Sequence, residues 1–218
     1  MSLASRSNDL LIGLLATVLL SAGSASGMFP FSATEVAGFV TGGAAVWLVV
    51  REHVWNWPVG IVNSGLYFVI FLDARLFADS ALQLAFIVLG LAGWWMWIRG
   101  FGSRTRPIGR VGRGEGLALA AATAAATVAL DAYLVSVADS APFLDALTTC
   151  LSLAATYLQA RKLIETWVVW IGADLIYVPL YVWKHLALTG ALYVIFLAMC
   201  IRGLIAWRRT LSLREAAA

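Results

Sequence analysis

Charged side chains are scarce in this chain. Only 12% of its 218 residues are Asp, Glu, Lys or Arg, whereas soluble proteins carry about 25%. Because 61% of the residues are hydrophobic, we predict an integral membrane protein. The net charge of +3 is small and its basic residues lie in short loops and at the C-terminus, so nucleic acid is not an expected partner.

Metal-binding and reactive residues are also few. His53 and His185 have no Cys or carboxylate neighbours at the spacing of metal ligands, and Cys150 and Cys200 lie in apolar segments where Cys behaves as a small hydrophobe. Residues 62–65 resemble an intramembrane serine protease motif but have Val where it needs Gly. With no glycine-rich phosphate loop either, we expect no catalytic residue, no cofactor and no metal.

Long apolar runs dominate instead. A bilayer core about 30 Å thick needs a helix of roughly 20 apolar residues. By that criterion the sequence predicts eight membrane segments, at residues 9–27, 34–50, 57–73, 77–98, 115–138, 141–160, 165–184 and 187–207. The first also fits a secretory signal peptide, because Arg6 precedes it and small residues follow it. We favour a retained N-terminal helix over residues 1–33.

Loop charges predict the orientation, because Lys and Arg concentrate on the cytoplasmic side. The loop between the fourth and fifth segments holds five arginines. Counting crossings from that loop also brings Arg51, Arg161 and Lys162 to the cytoplasmic side. The same count places there the tail at residues 210–218 and the C-terminal basic group, which consists of Arg202, Arg208, Arg209 and Arg214. The C-terminus is therefore expected to be cytoplasmic.

The chain repeats itself at an offset of 110 residues without a gap. Residues 34–100 thus form one three-helix repeat and residues 141–209 a second, while residues 101–140 supply a basic loop and a linker helix. Since the linker adds one crossing, the two triplets should lie parallel about an axis along the membrane normal. The matched pairs are Arg51 and Arg161, Trp57 and Trp167, Ile61 and Ile171, Tyr67 and Tyr177, Leu76 and Leu186, Phe86 and Phe196, Gly93 and Gly203, and Trp97 and Trp207.

One helix face of residues 165–185 is too polar and aromatic for lipid alone. It carries residues spaced three or four apart, namely Trp167, Trp170, Asp174, Tyr177 and Tyr181. A carboxylate in lipid costs about 2.5 to 3.5 kcal/mol, so Asp174 either faces a polar cavity or is satisfied by another helix. The two tryptophans either line that cavity or anchor the helix at the membrane interface.

Two sequence runs carry a family resemblance. WNWPVGIVNSGLYFVIF from Trp55 and ETWVVWIGADLIYVPLYVWKHLALTGALYVIF from Glu165 resemble the repeat signatures of the PnuC vitamin transporters. The resemblance implies an all-α, seven-helix core in a 3+1+3 arrangement like that of SWEET sugar transporters, and a homotrimer in the bacterial inner membrane. It also implies facilitated diffusion of a vitamin, chiefly nicotinamide riboside, with thiamine and riboflavin as alternatives, made unidirectional by cytosolic phosphorylation.

From residues and resemblance together we predict a passive uniporter that binds a small-molecule vitamin. A membrane enzyme or a non-transporting receptor is the alternative from another class. The substrate site is expected to be bounded by both repeats, at Trp57, Asn63, Tyr67, Gln83, Trp167, Trp170, Asp174 and Tyr177.

Overall fold

A computed structural model describes residues 33–73, 77–99, 107–138, 140–183 and 187–216. These residues form seven helices and no strand: α1 Ala33–Val50, α2 Asn56–Asp73, α3 Phe77–Arg99, α4 Arg113–Ser136, α5 Pro142–Ala160, α6 Glu165–Trp183 and α7 Ala187–Glu215. The last seven of the eight predicted segments are thus confirmed. The first predicted segment, at residues 9–27, lies outside the described residues. Helix α7 has 29 residues and continues beyond its predicted end, because residues 208–215 are good helix formers.

Six of the helices form a closed ring. Each packs on the next in the order α1, α2, α3, α5, α6, α7 and back to α1. The interface between α3 and α5 and that between α7 and α1 are equivalent under the 110-residue repeat. The ring is therefore two three-helix units related by a pseudo-two-fold axis, as the repeat predicted.

The outward surface of this ring is apolar. Val88 is 64% exposed and Ile98 is 62% exposed, and the stretch Ser80–Arg99 has the length and hydropathy of a membrane-spanning helix. Extended apolar surfaces of this kind are rare on soluble monomers. The fold is that of an all-α integral membrane protein whose outer face contacts lipid.

The hydrophobic core lies at one end of the ring, which we call the basic end because Arg51, Arg99, Arg161, Lys162 and Arg208 lie in its turns and helix ends. Two tryptophan pairs form its centre. Trp57 meets Trp97 edge to face with ring centroids 5.7 Å apart, and the repeat-related pair Trp167 and Trp207 does so at 5.4 Å.

The same tryptophans join the two triplets. The Trp97 indole N–H donates to the carbonyl oxygens of Gln159 and Ala160, at 3.2 Å each. The Trp207 indole N–H donates to the Val49 carbonyl oxygen, also at 3.2 Å. Because Val49 and Gln159 correspond under the repeat, the two contacts are one interaction made twice. Trp97 is 4% exposed and belongs to the core.

Helix α4 lies outside the ring. It packs on α5 alone among the described helices, and its Leu117 and Val128 are 73% and 68% exposed. This alanine-rich linker forms no part of the ring, because the six other helices close it without α4.

The segment before α4, residues 107–112, is fastened to the second triplet, and we call it the strap. The Gly109 N–H donates to the Lys162 carbonyl oxygen and the Ile164 N–H to the Gly109 carbonyl oxygen, both at 3.0 Å. The Val111 N–H donates to a Glu165 carboxylate oxygen at 2.9 Å. The turn between α5 and α6 is thereby held by backbone hydrogen bonds.

Trp167 packs directly on Gly203, where an added Cβ would lie 2.5 Å from the indole ring. Both residues are buried, so the rigid ring has no space to retreat. We expect Gly203→Ala to lower the free energy of unfolding by about 1–3 kcal/mol, measured as a lower apparent melting temperature in detergent. Gly60→Ala is the matched control, because a Cβ there meets nothing within 4 Å. Equal melting temperatures of the two variants would contradict this packing.

Candidate functional site

Asp174 is a buried carboxyl group in the middle of α6. The side chain is 4% exposed, and the thiol of Cys200 on α7 donates a hydrogen bond to it. Its Oδ2 oxygen is buried without a hydrogen-bond partner among the described residues. Since buried polar atoms are nearly always paired, this oxygen is the strongest indication of a group that the protein itself does not supply.

Tyr177 lies one turn further along α6 and faces two neighbouring helices. Its ring packs on that of Tyr193 of α7, with centroids 4.6 Å apart. Its hydroxyl hydrogen-bonds with Thr148 and Ser152 of α5. The hydroxyls of Thr148 and Ser152 donate to carbonyl oxygens of their own helix, so their oxygens are free to accept. Tyr177 thus ties together all three helices of the second triplet.

The first triplet also presents a polar and an aromatic residue, Asn63 and Tyr67, on α2, and Tyr67 is the repeat counterpart of Tyr177. The Asn63 amide donates to the Gly38 carbonyl oxygen at 2.6 Å and to the Thr41 hydroxyl oxygen at 2.9 Å. The Tyr67 ring lies against Gly38, where an added Cβ would be 2.9 Å from it. Because both amide hydrogens are used on α1, the amide oxygen is the atom of Asn63 that remains to contact a ligand.

Aromatic rings connect the two pairs. Tyr193 meets Phe196 at 5.8 Å between centroids, and Phe196 meets Phe39 of α1 at the same distance. An added Cβ at Gly42 would lie 3.8 Å from Phe196 and 3.6 Å from Asn63, so both side chains approach this glycine of α1. A continuous series of polar and aromatic groups therefore crosses from one triplet to the other. We call it the interior array: Phe39, Thr41, Asn63, Tyr67, Thr148, Ser152, Asp174, Tyr177, Tyr193, Phe196 and Cys200.

The structure brings four of the eight predicted site residues into this array, namely Asn63, Tyr67, Asp174 and Tyr177. Trp57 and Trp167 lie elsewhere, 3% and 1% exposed in the core of the basic end. Trp170 packs on that core and is half-buried, and Gln83 is half-buried on α3. A contact between any of the eight and a substrate stays a prediction.

Sequence reasoning missed the contribution of α7. Tyr193, Phe196 and Cys200 are spaced three and four apart, which places them on one helical face. The repeat offers a further signal, because Tyr193 corresponds to Gln83, a residue that was already a candidate. The sequence did not predict that α7 lies between α6 and α1 in the ring.

An apolar groove of about 410 Å³ lies apart from this array. Its lining consists of Leu144, Leu175, Ile176, Pro179, Leu180 and Trp183. Leu175 and Trp183 are 57% and 64% exposed, so the groove opens on the lipid-facing side of α5 and α6. Apart from the indole N–H of Trp183, the side chains that line it are apolar, and we assign the candidate site to the interior array.

A ring of membrane helices around polar and aromatic groups is an arrangement that a transporter of small solutes can use, and comparisons with known proteins indicate a transporter. Residues 32–209 match the family described as nicotinamide mononucleotide transporters. The chain belongs to this family, the PnuC vitamin transporters, whose members are multi-pass proteins of the bacterial inner membrane.

Two curated relatives and one solved structure show how similar the chain is to known members. It is 30% identical over 182 residues to the riboflavin/roseoflavin transporter RibM of Streptomyces davaonensis, covering 80% of this chain and 84% of RibM. It is 24% identical over 209 residues to the nicotinamide riboside transporter PnuC of Escherichia coli, covering 84% and 87%. A crystal structure of the vitamin B3 transporter PnuC shares the fold with a TM-score of 0.72 and 21% identity, over 97% of this chain and 99% of that one.

The Asn63 amide holds α1 against α2, so reversing its hydrogen-bond polarity should loosen the site. In Asn63→Asp a carboxylate oxygen replaces the donor that lies 2.6 Å from the Gly38 carbonyl oxygen. We expect the free energy of unfolding to fall by about 1–3 kcal/mol, together with the initial uptake rate. Thr41→Val, which leaves the Gly38 contact intact, should have the smaller effect on melting temperature. An Asn63→Asp protein as stable as the parent would show that the amide does not hold the helices.

Proposed function

We propose that this chain equilibrates nicotinamide riboside across the membrane by facilitated diffusion, with the ligand bound in the interior array. The observation that carries the proposal is the unpaired Oδ2 oxygen of Asp174, one helical turn from the stacked rings of Tyr177 and Tyr193. A buried carboxylate and aromatic faces are complementary to one ligand class, a cationic aromatic ring.

Nicotinamide riboside fits that class through each of its parts. Its pyridinium ring carries a positive charge that offsets the cost of a carboxylate in a low-dielectric interior. Stacking of the ring on tyrosine adds a cation–π attraction of up to about 2 kcal/mol when it is desolvated. The ribose hydroxyls can bond the Asn63 amide oxygen and the hydroxyls of Thr148 and Ser152.

Metabolic trapping, in which cytosolic phosphorylation keeps the vitamin in the cell, is explained by the negative charge of Asp174. A phosphate group added to the vitamin in the cytosol would bring negative charge next to Asp174, and like charges that approach in a desolvated site cost several kcal/mol. The site is therefore expected to reject the phosphorylated product. A carrier with this preference needs no energy source of its own, because phosphorylation removes the ligand from the equilibrium.

Riboflavin is the second candidate, and a specific observation favours it. The relative with the higher identity, at 30%, is the transporter of riboflavin and roseoflavin. Riboflavin is neutral, so its ring N–H would donate to Asp174 instead of compensating a charge, and its ribityl hydroxyls would take the place of ribose. Thiamine, which is cationic and aromatic, belongs in the same binding panel.

Sidedness and assembly complete the proposal. The basic end carries the turns and helix ends that hold Arg51, Arg99, Arg161 and Lys162, so by the positive-inside rule it faces the cytoplasm, and with it the C-terminus. The homotrimer that the family resemblance implies is part of the same proposal. Native mass measurement of the protein in detergent tests it.

Removing the charge of Asp174 should affect the binding of nicotinamide riboside more than that of riboflavin. In proteoliposomes that contain only this protein, we expect Asp174→Asn to weaken nicotinamide riboside binding and uptake at least tenfold, because the amide cannot compensate a cation. Riboflavin, where it is carried, should lose less, because an amide oxygen still accepts from its ring N–H. Asp131→Asn is the matched control, since Asp131 lies on α4 outside the ring.

Three results would count against the proposal. Equilibration of riboflavin but not nicotinamide riboside would transfer the function to the second candidate. Binding without equilibration of any of the three vitamins would indicate a receptor. Tight binding of the phosphorylated vitamins would contradict metabolic trapping.

A further inference from the structure

Two charged residues of opposite sign occupy the same position in the two repeats. Glu52 lies in the turn between α1 and α2, and Lys162 lies in the turn between α5 and α6, 110 positions later. Both have left-handed backbones, with φ of 54° and 52°. The shared and uncommon backbone conformation shows that the two turns have kept one geometry while their charges have diverged.

These equivalent residues are bonded to each other. The Lys162 Nζ lies 3.3 Å from a Glu52 carboxylate oxygen, and it also lies 4.4 Å from the centre of the Trp97 ring. A direct contact between two residues that a pseudo-two-fold operation exchanges can form only at the axis itself. The ion pair therefore lies on the axis of the ring, at its basic end.

Burial distinguishes this pair from an ordinary surface ion pair. The Lys162 side chain is 6% exposed and the Glu52 side chain 26%. Just inside it, the Gln159 amide donates to the Asn56 amide oxygen at 3.1 Å, again across the triplets. A solute that moves along the axis to the basic end has to pass between these groups.

We propose that Glu52 and Lys162 form the gate at the basic end of the transport pathway, closed in this structure and opened when the two triplets move apart. The proposal does not depend on which vitamin is carried. Opposite charges are needed because two copies of either residue would repel each other at the axis.

The two sides of the gate are held differently. The strap fixes the Lys162 turn through its backbone, with Gly109 bonded on both sides of Leu163. Glu52 belongs to the first triplet. Only the side chain of Lys162 contacts that triplet at the gate, through the Glu52 carboxylate and the Trp97 ring. When the gate opens, Glu52 and the first triplet therefore move away from Lys162, whose backbone stays bonded to the strap.

Cysteine labelling tests the gate without any substrate. Ala160 is 2% exposed beside the closure, so Ala160→Cys reports opening through its rate of maleimide labelling in nanodiscs. Adding Glu52→Gln or Lys162→Gln should raise that rate about tenfold, because loss of one partner of a desolvated pair favours the open state. Rates are taken relative to the chain without the reporter, which accounts for Cys150 and Cys200.

Charge exchange is the decisive variant. In Glu52→Lys with Lys162→Glu the pair is rebuilt in reverse, on two backbones that already share their conformation. The new lysine at position 52 would lie over Trp207, which is the repeat equivalent of Trp97. We expect the labelling rate of this double variant to return to within about twofold of the parent. Each single charge reversal should label at least as fast as the glutamine variants, because it places two like charges at the axis.

A nearby ion pair supplies the control. Arg161 and Glu115 are 2.7 Å apart at the same end, but they join α4 to the second triplet and do not cross the axis. Glu115→Gln should leave the labelling rate unchanged. Failure of the charge exchange to restore closure, or an equal effect of Glu115→Gln, would overturn the gate. Loss of vitamin uptake with normal labelling would count against the proposed substrate instead.

Discussion

The structure depends on two indole N–H groups that each donate to a helix end in the opposite triplet. The Val49 and Gln159 carbonyl oxygens also accept from the turn N–H groups of Glu52 and Lys162, so each indole adds a second hydrogen bond to a helix end that its own triplet has already capped. Trp97 donates to the last turn of α5, and Trp207 to the last turn of α1. Each triplet thus holds a helix end of the other, and in the closed state of this structure these bonds set how the six helices meet in a ring around the pseudo-two-fold axis.

The repeat keeps its scaffold and varies its functional surface. The tryptophans at the centre of the core are identical in the two halves, and so are Gly93 and Gly203, on which Trp57 and Trp167 pack. Several residues of the interior array differ from their repeat counterparts, although Tyr67 and Tyr177 are identical. The differing pairs are Gly38 and Thr148, Gly42 and Ser152, Ser64 and Asp174, Gln83 and Tyr193, and Gly90 and Cys200. An asymmetric ligand requires such differences, while a symmetric scaffold lets both halves move by the same geometry.

Most of the fold could be predicted from the sequence, because lipid imposes simple rules. Hydropathy located the helices, and the repeat, with its matched tryptophans and glycines, established the 3+1+3 order. The site was only half predictable. Helical periodicity showed which face of α6 carries Trp167 and Asp174, but periodicity does not tell which helix lies opposite at each depth. Trp167 meets Gly203 and becomes core, whereas Asp174, two turns along the same face, meets Cys200 and the interior array.

The neighbours of the linker helix could not be predicted for a related reason. Small residues permit close packing on several helices but do not require it, and among the described helices α4 packs on α5 alone. The linker adds one membrane crossing, which makes the two triplets parallel. The strap that precedes it is hydrogen-bonded to the turn that carries Lys162. Parallel repeats place equivalent turns at the same end of the axis. Only in that arrangement can one position of the repeat, occupied once by glutamate and once by lysine, meet its own counterpart.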